Sequence, residues 1–318
     1  MSETKKIPVI LNTDIGGDID DSWALSFLLR SPELDTKLVV PCLENPEYPF
    51  GRTKDTRDPF GRTKVAAKQM AQSGYGHIPV AAGLESEHFD YHLREWAEDF
   101  DLAGYPGGFR EDGIQAMIDT VMASDEVVTI ICIGPMTDIA AALEREPRIA
   151  DNAKLIIIGG SIYNGHGLDV IQKASDYNVR ADIPSFRKAF AASWDITLIP
   201  LDVTAHIVIG DDAYQKLLYK RNDDAVVGTV LECFDFWMVK GNCTYYKTHT
   251  TSLYDTAAIY YAVKGDYNFI MEDHMLSIDD GGYTNDDSEN GRLVHCAVYY
   301  KYKDMFYKFL TDRLCGEV

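Results

Sequence analysis

No two cysteines stand at C-x-x-C spacing in this chain, cations are scarce and long apolar runs are missing. Each shortage removes a class of protein. The six cysteines are Cys42, Cys132, Cys233, Cys243, Cys296 and Cys315. Their scatter offers neither a zinc-site nor a redox spacing, and reads as reduced, structural thiols of a cytoplasmic protein. Lys and Arg number 30 against 50 Asp and Glu, a formal net charge of −20. That balance excludes the basic patch a nucleic-acid partner needs. No apolar run approaches a membrane span, so no membrane partner is expected. The polar start, Met1 to Lys6, leads into an apolar run without a signal-peptide core.

What is present is the patterning of a globular α/β protein. The hydrophobic share of 46% is ordinary for a chain that buries a full core. Strand-like runs at 7–11, 37–43, 79–81, 127–133, 155–158 and 196–200 alternate with helical patterns at 21–30, 63–73, 114–123, 138–146 and 303–314. Such alternation implies βαβ units, hence a Rossmann-like, mainly parallel sheet flanked by helices. No Ser- or Pro-rich linker divides the chain, so residues 1–318 are expected to form one domain. A hexapeptide, Pro49 to Lys54, recurs as Pro59 to Lys64. It reads as a local duplication in a loop, or as a flap over a substrate.

The densest chemistry lies at Asn12 to Asp21. Asp14, Asp18, Asp20 and Asp21 crowd this stretch with Gly16 and Gly17, directly after the first strand. One aspartate would serve as an N-cap for the following helix. Four crowded carboxylates with no neighbouring cation call for a positive partner. A hard divalent ion suits carboxylate oxygens best. In a parallel sheet, ligands bind beyond the carboxyl ends of the strands, where this cluster falls.

The cluster resembles the D-x-D-x-x-x-D-D signature of the nucleoside hydrolases, including the inosine–uridine-preferring enzymes. Asn12 stands where many members carry the first aspartate, and extra residues separate Asp14 from Asp20 and Asp21. The run Val128 to Ala140, containing Gly134-Pro135-Met136-Thr137-Asp138, is similar to the family's strand–Gly-Pro-Leu-Thr-Asn–helix segment. Ala174 to Val179 resembles the Ala-Glu-Phe-Asn segment, and Leu253-Tyr254-Asp255 the C-terminal aspartate motif. The matches follow family order along nearly the whole chain.

The resemblance implies the nucleoside hydrolase fold, a homo-oligomer (dimer or tetramer) and a calcium ion (Ca2+). It implies hydrolysis of the N-glycosidic bond of a ribonucleoside through an oxocarbenium-like state. Asp14 would bind the ion and act as general base on its water. Asp21, Asp255 and the backbone carbonyl of Ile133 would complete the ligands. Asp20, Asp176, Asn178 and, after the inserted loop, Asn45 would hold ribose hydroxyls, with Asp255 also beside the substrate. Some members place a histidine before the C-terminal aspartate to protonate the leaving base; here that position is Tyr254. Tyr254 and the nearby His249 are the candidate acids, with His166 in a loop expected near the sugar. Trp237 and the pair Tyr245-Tyr246 are candidates for stacking on the base, and Tyr91 and Trp96 for a lid. A nucleoside- or ribose-binding protein with degraded catalysis, a hydrolase of another N-riboside and a calcium-stabilised scaffold stay open. A D-x-D phosphatase does not, because Asn12 would occupy the nucleophile position.

Overall fold

The computed structural model describes residues 5–42, 60–84, 92–166 and 171–318. The β-branched, apolar runs form the strands: β1 (Ile7–Thr13), β2 (Leu34–Pro41), β3 (Val80–Ala81), β4 (Phe109–Arg110), β5 (Val128–Cys132), β6 (Ala153–Ile158), β7 (Ile196–Ile199), β8 (Phe269–Ile278), β9 (Thr284–Asp286) and β10 (Arg292–Tyr300). They make one 10-stranded sheet in the order β4-β3-β2-β1-β5-β6-β7-β10-β8-β9. Pairing is parallel from β4 across to β10 and antiparallel at the β10–β8 and β8–β9 steps.

Side chains alternate between two cores because successive strand residues face opposite ways. Val9, Leu11 and Ile131 enter one core, whereas Ile10, Ile130 and Cys132 enter the other. The first core is closed by helices Asp20–Leu29, Gly61–Gln72, Ala225–Lys240, Thr256–Lys264 and Lys303–Leu314. The second is closed by Gly113–Met122, Thr137–Arg145 and Ile183–Ala191. Both faces of the parallel strands are therefore covered, which explains their continuous apolar runs. The helix Asp20–Leu29 is buried along its whole length, so its two leading aspartates are carried into the interior.

The fold is the expected α/β domain with a mainly parallel sheet, and most boundaries move by a residue or two. The antiparallel edge of β8, β9 and β10 has no counterpart in the expected elements. Its strands mix exposed and buried positions, as a sheet edge with one solvated face does. The second copy of the repeated hexapeptide is not wholly a loop: Gly61 to Lys64 open the helix Gly61–Gln72. Its first copy, Asn45 and Tyr91 lie outside the described residues.

Candidate active site

From β1 the chain steps outward through β2, β3 and β4, then returns to lay β5, β6 and β7 on the other side of β1. The reversal opens a crevice at the carboxyl ends of β1 and β5, the usual ligand position in such a sheet. A cavity of about 690 Å³ occupies it, lined by Asp14, Asp20, Asp21, Ile133, Asp176, Asn178, Trp237, Tyr254 and Asp255, with further residues treated below. That volume suits a small polar molecule.

The long spacer after Asp14 is a folded loop pinned on several sides. Ile15 and Ile19 are fully buried and anchor it at both ends. Gly16 has φ 107°, a left-handed conformation that a side chain would strain. The Gly16 carbonyl accepts from Leu93 N at 3.0 Å. The Gly17 carbonyl accepts from Trp237 Nε1 at 3.2 Å and lies 2.9 Å from His92 Nδ1. Arg62 Nη1 donates to the carbonyls of Asp14 and, at 3.0 Å, Ile15. Thr13 Oγ1 accepts from Ile15 N at 3.2 Å and donates to Asp21 Oδ1. The extra residues are thus absorbed, and Asp20 and Asp21 still enter the cavity as the first turn of their helix.

Asp20, Asp21 and Asp255 bring carboxylate oxygens within 4.8 Å of one another, and all three are buried. Burial pushes each carboxyl well above its ordinary range, and the neighbouring aspartates push it further. Thr13 and Arg62 offset part of this at Asp21. Asp14 lines the cavity next to the three and is half-buried. The Ile133 carbonyl accepts from Asn178 Nδ2 at 2.9 Å and keeps a second lone pair. Every donor here is oxygen, which fits a hard divalent cation and not a soft one. Among the described residues this trio is the one metal-competent cluster of its kind. Asp20, expected on the sugar, is grouped with Asp21 and Asp255, whereas Asp14, expected among the ligands, stands beside the group.

Asp176 N-caps the helix Tyr177–Ala181, accepting from Val179 N at 3.3 Å, and burial raises its carboxyl. Asn178, the second residue of that helix, donates to Ile158 O at 3.3 Å as well as to Ile133 O. Both residues line the cavity. Tyr254 also lines it, with its hydroxyl 3.4 Å from His166 Nδ1. Burial raises the phenol, so Tyr254 keeps its proton. His166 follows a stretch whose backbone N–H groups at Ile162, Tyr163 and Asn164 all donate to Asp202, at 2.7, 2.7 and 2.9 Å.

His249 does not line this cavity, contrary to the expectation. It faces a second cleft with Lys216, Tyr307, Lys308 and Asp312. A bridge to Gly210 and hydrogen bonds from Thr250 N to Ile209 O and Leu253 N to Ile207 O fix the chain there. The turn that follows sends Tyr254 and Asp255 inward while His249 stays behind. Trp96 is tied to Glu232 at 2.7 Å and, with Tyr245 and Tyr246, lies outside the cavity wall. Trp237 serves two purposes: its indole lines the cavity and pins the Gly17 carbonyl. Arg62, His92 and Arg180 line the cavity without having been singled out. Arg62 sits in the repeated hexapeptide and His92 follows Tyr91, so each had a marker nearby.

The family model described as inosine-uridine preferring nucleoside hydrolase matches residues 9–303. The non-specific ribonucleoside hydrolase RihC of Klebsiella pneumoniae is 27% identical over 216 residues, 65% of this chain and 65% of that protein. The chain thus spans about two-thirds of that relative's length. The inosine-uridine preferring nucleoside hydrolase of Crithidia fasciculata is 23% identical over 95% of this chain and 94% of its own. The solved structure of the inosine-uridine preferring nucleoside hydrolase of Bacillus anthracis superposes with a TM-score of 0.73 at 20% identity, covering 98% of this chain and all of its own, which is a likeness of fold. With nearly the whole length matched by the family model, the chain belongs to the inosine-uridine preferring nucleoside hydrolase family.

Proposed function

We propose that this protein hydrolyses the N-glycosidic bond of ribonucleosides, releasing free base and ribose, with calcium as its ion. The observation that carries the reading is the convergence of Asp20, Asp21 and Asp255, with Asp14 and the Ile133 carbonyl beside them, at one end of the sheet. These residues would hold the cation. When bound, it supplies positive charge that orients sugar hydroxyls and makes water a stronger acid.

The chain's own residues divide the remaining work. Asp14, outside the trio but in the same cavity, takes the proton of the attacking water. Asp176 and Asn178 hold ribose hydroxyls, with Asp20 reaching the sugar from the cation side. As the C–N bond breaks, the sugar becomes electron-poor, and the surrounding carboxylates stabilise it electrostatically. The leaving base gains electron density and needs a proton at a ring nitrogen. Tyr254, protonated and backed by His166, is the donor within the cavity. Trp237 offers an aromatic wall to a flat heterocycle. The relatives' names range from non-specific to inosine-uridine preferring, so the substrate is proposed as a ribonucleoside without a fixed base.

Incubation with a panel of ribonucleosides and calcium should release ribose and free base, and chelator should stop it. Asp14→Ala should lower kcat by about a thousandfold or more, the scale of losing a catalytic base; release of no ribose from any nucleoside by calcium-loaded protein would reject the reading. Tyr254→Phe should slow release of poor leaving bases by about ten- to a hundredfold while an activated nitrophenyl riboside, which needs no proton, reacts at near the wild-type rate. His249→Ala should behave as wild type in both assays.

Raised carboxyls also fix a pH dependence. Folded Asp20, Asp21 and Asp255 hold protons at pH values where the unfolded chain has lost them. Their contribution to stability is therefore present below the ordinary carboxylate range and is lost as pH rises through the raised values. Metal-free protein should show a melting temperature that falls across this window. Calcium at a hundred times its dissociation constant should add about 2.7 kcal/mol of stability at neutral pH. A melting temperature insensitive to both would contradict the electrostatic account of the cluster.

A further inference from the structure

The side chains of Asn12 and Asp138 are fully buried and meet behind the cavity. Asn12 Nδ2 donates to Asp138 Oδ2 at 3.0 Å and to Val40 O at 3.0 Å. Its Oδ1 accepts from Cys132 Sγ at 3.4 Å. Asp138 Oδ1 accepts from Leu84 N at 2.9 Å. Every polar atom of the pair is engaged, and the polarity is fixed: the amide at 12 faces two acceptors, and the carboxylate at 138 faces two donors. One hydrogen-bonded unit thereby joins β1, β2, β5, the segment after β3 and the first turn of the helix Thr137–Arg145.

The unit lies directly beneath catalytic groups. Asn12 is two residues from Asp14, and its carbonyl accepts from Ile133 N at 2.9 Å. Gly134 packs so closely on Asp14 that a Cβ there would stand 2.9 Å from Asp14 N and 3.0 Å from its Oδ1. A shift of β1 against β5 would therefore move Asp14 and the Ile133 carbonyl relative to each other. Asn12 and Asp138 also stand where the resembling motifs carry Asp and Asn, a reciprocal exchange.

We propose that Asn12 and Asp138 form an amide–carboxylate pair of swapped polarity that positions Asp14 and the Ile133 carbonyl for the reaction. The proposal rests on the hydrolase reading. Burial already lifts the Asp138 carboxyl to about 7, so an Asn12→Asp change alone leaves two abutting buried carboxyls that retain a single proton, which cannot serve both the Asp138 and the Val40 contacts that the two amide N–H groups make. An Asp138→Asn change alone aims an NH2 group at either Leu84 N–H or the Asn12 amide. Making both restores a donor at 138 for an acceptor at 12 and leaves the amide oxygen for Leu84. The mismatch with Val40 O remains, which keeps the recovery short of complete.

The test is the full cycle of Asn12→Asp, Asp138→Asn and the double variant, read as kcat, KM and calorimetric calcium affinity. Each single change should lower kcat by about ten- to a hundredfold, as a misplaced catalytic group does, with KM changed less than about threefold. The double variant should recover kcat to within about fivefold of wild type and restore calcium affinity. Should a single variant fail to fold, recovery of a folded, active double variant supports the pairing. A double variant no better than the worse single, or single variants with wild-type kcat, overturns it. If the wild type cleaves no nucleoside, the hydrolase reading fails separately, and the calcium-affinity cycle then decides the pairing alone.

Discussion

Mutual repulsion among buried carboxylates is the constraint on which the rest of the site depends. Asp20, Asp21 and Asp255 come from two distant parts of the chain and are held together out of water. Such a grouping is unfavourable by itself, because each charge loses its hydration and faces like charges at short range. The surrounding fold keeps it in place. A fully buried helix presents Asp20 and Asp21, and a second buried helix start presents Asp255. The electrostatic strain this stores is relieved by protons or by a cation, and the oxygen-only donor set favours a hard one.

The sheet supplies the framework. Because β1 lies at the point where the chain reverses direction across the sheet, its end opens into a crevice bounded by β5 and the loops after β6 and β7. The loop between β1 and the helix Asp20–Leu29 is tied by Arg62, His92, Leu93 and Trp237. These ties come from segments remote in sequence. They turn a stretch with two glycines into a tethered support, and they place the Trp237 ring in the same cavity as Asp176 and Asn178.

Much of this was legible in the residues alone, and the misses have physical causes. The β-branched runs marked the central strands, and the aspartate cluster marked the cavity floor, because charge crowding is a local property. Asp255 was found through its motif, since nothing near it in sequence announces a partner 234 positions away. His249 was misplaced because chain proximity to Asp255 suggested spatial proximity, while an intervening turn sends the two side chains to different clefts. Arg62 and His92 went unmarked because their roles depend on tertiary contacts to carbonyls of the β1 loop. The edge strands β8, β9 and β10 lack strict alternation, having one solvated face and a register shift between Ala297 and Tyr299.

The central claim is that the buried aspartate cluster exists to receive a divalent cation. Calorimetric calcium titration of the metal-free protein, in two buffers of different ionisation enthalpy at a pH just above the ordinary carboxylate range, tests it directly. The account predicts one calcium bound per chain with release of protons, because the carboxyls held above their ordinary range must ionise to bind it. Absence of binding, or binding with no proton release in either buffer, would contradict it.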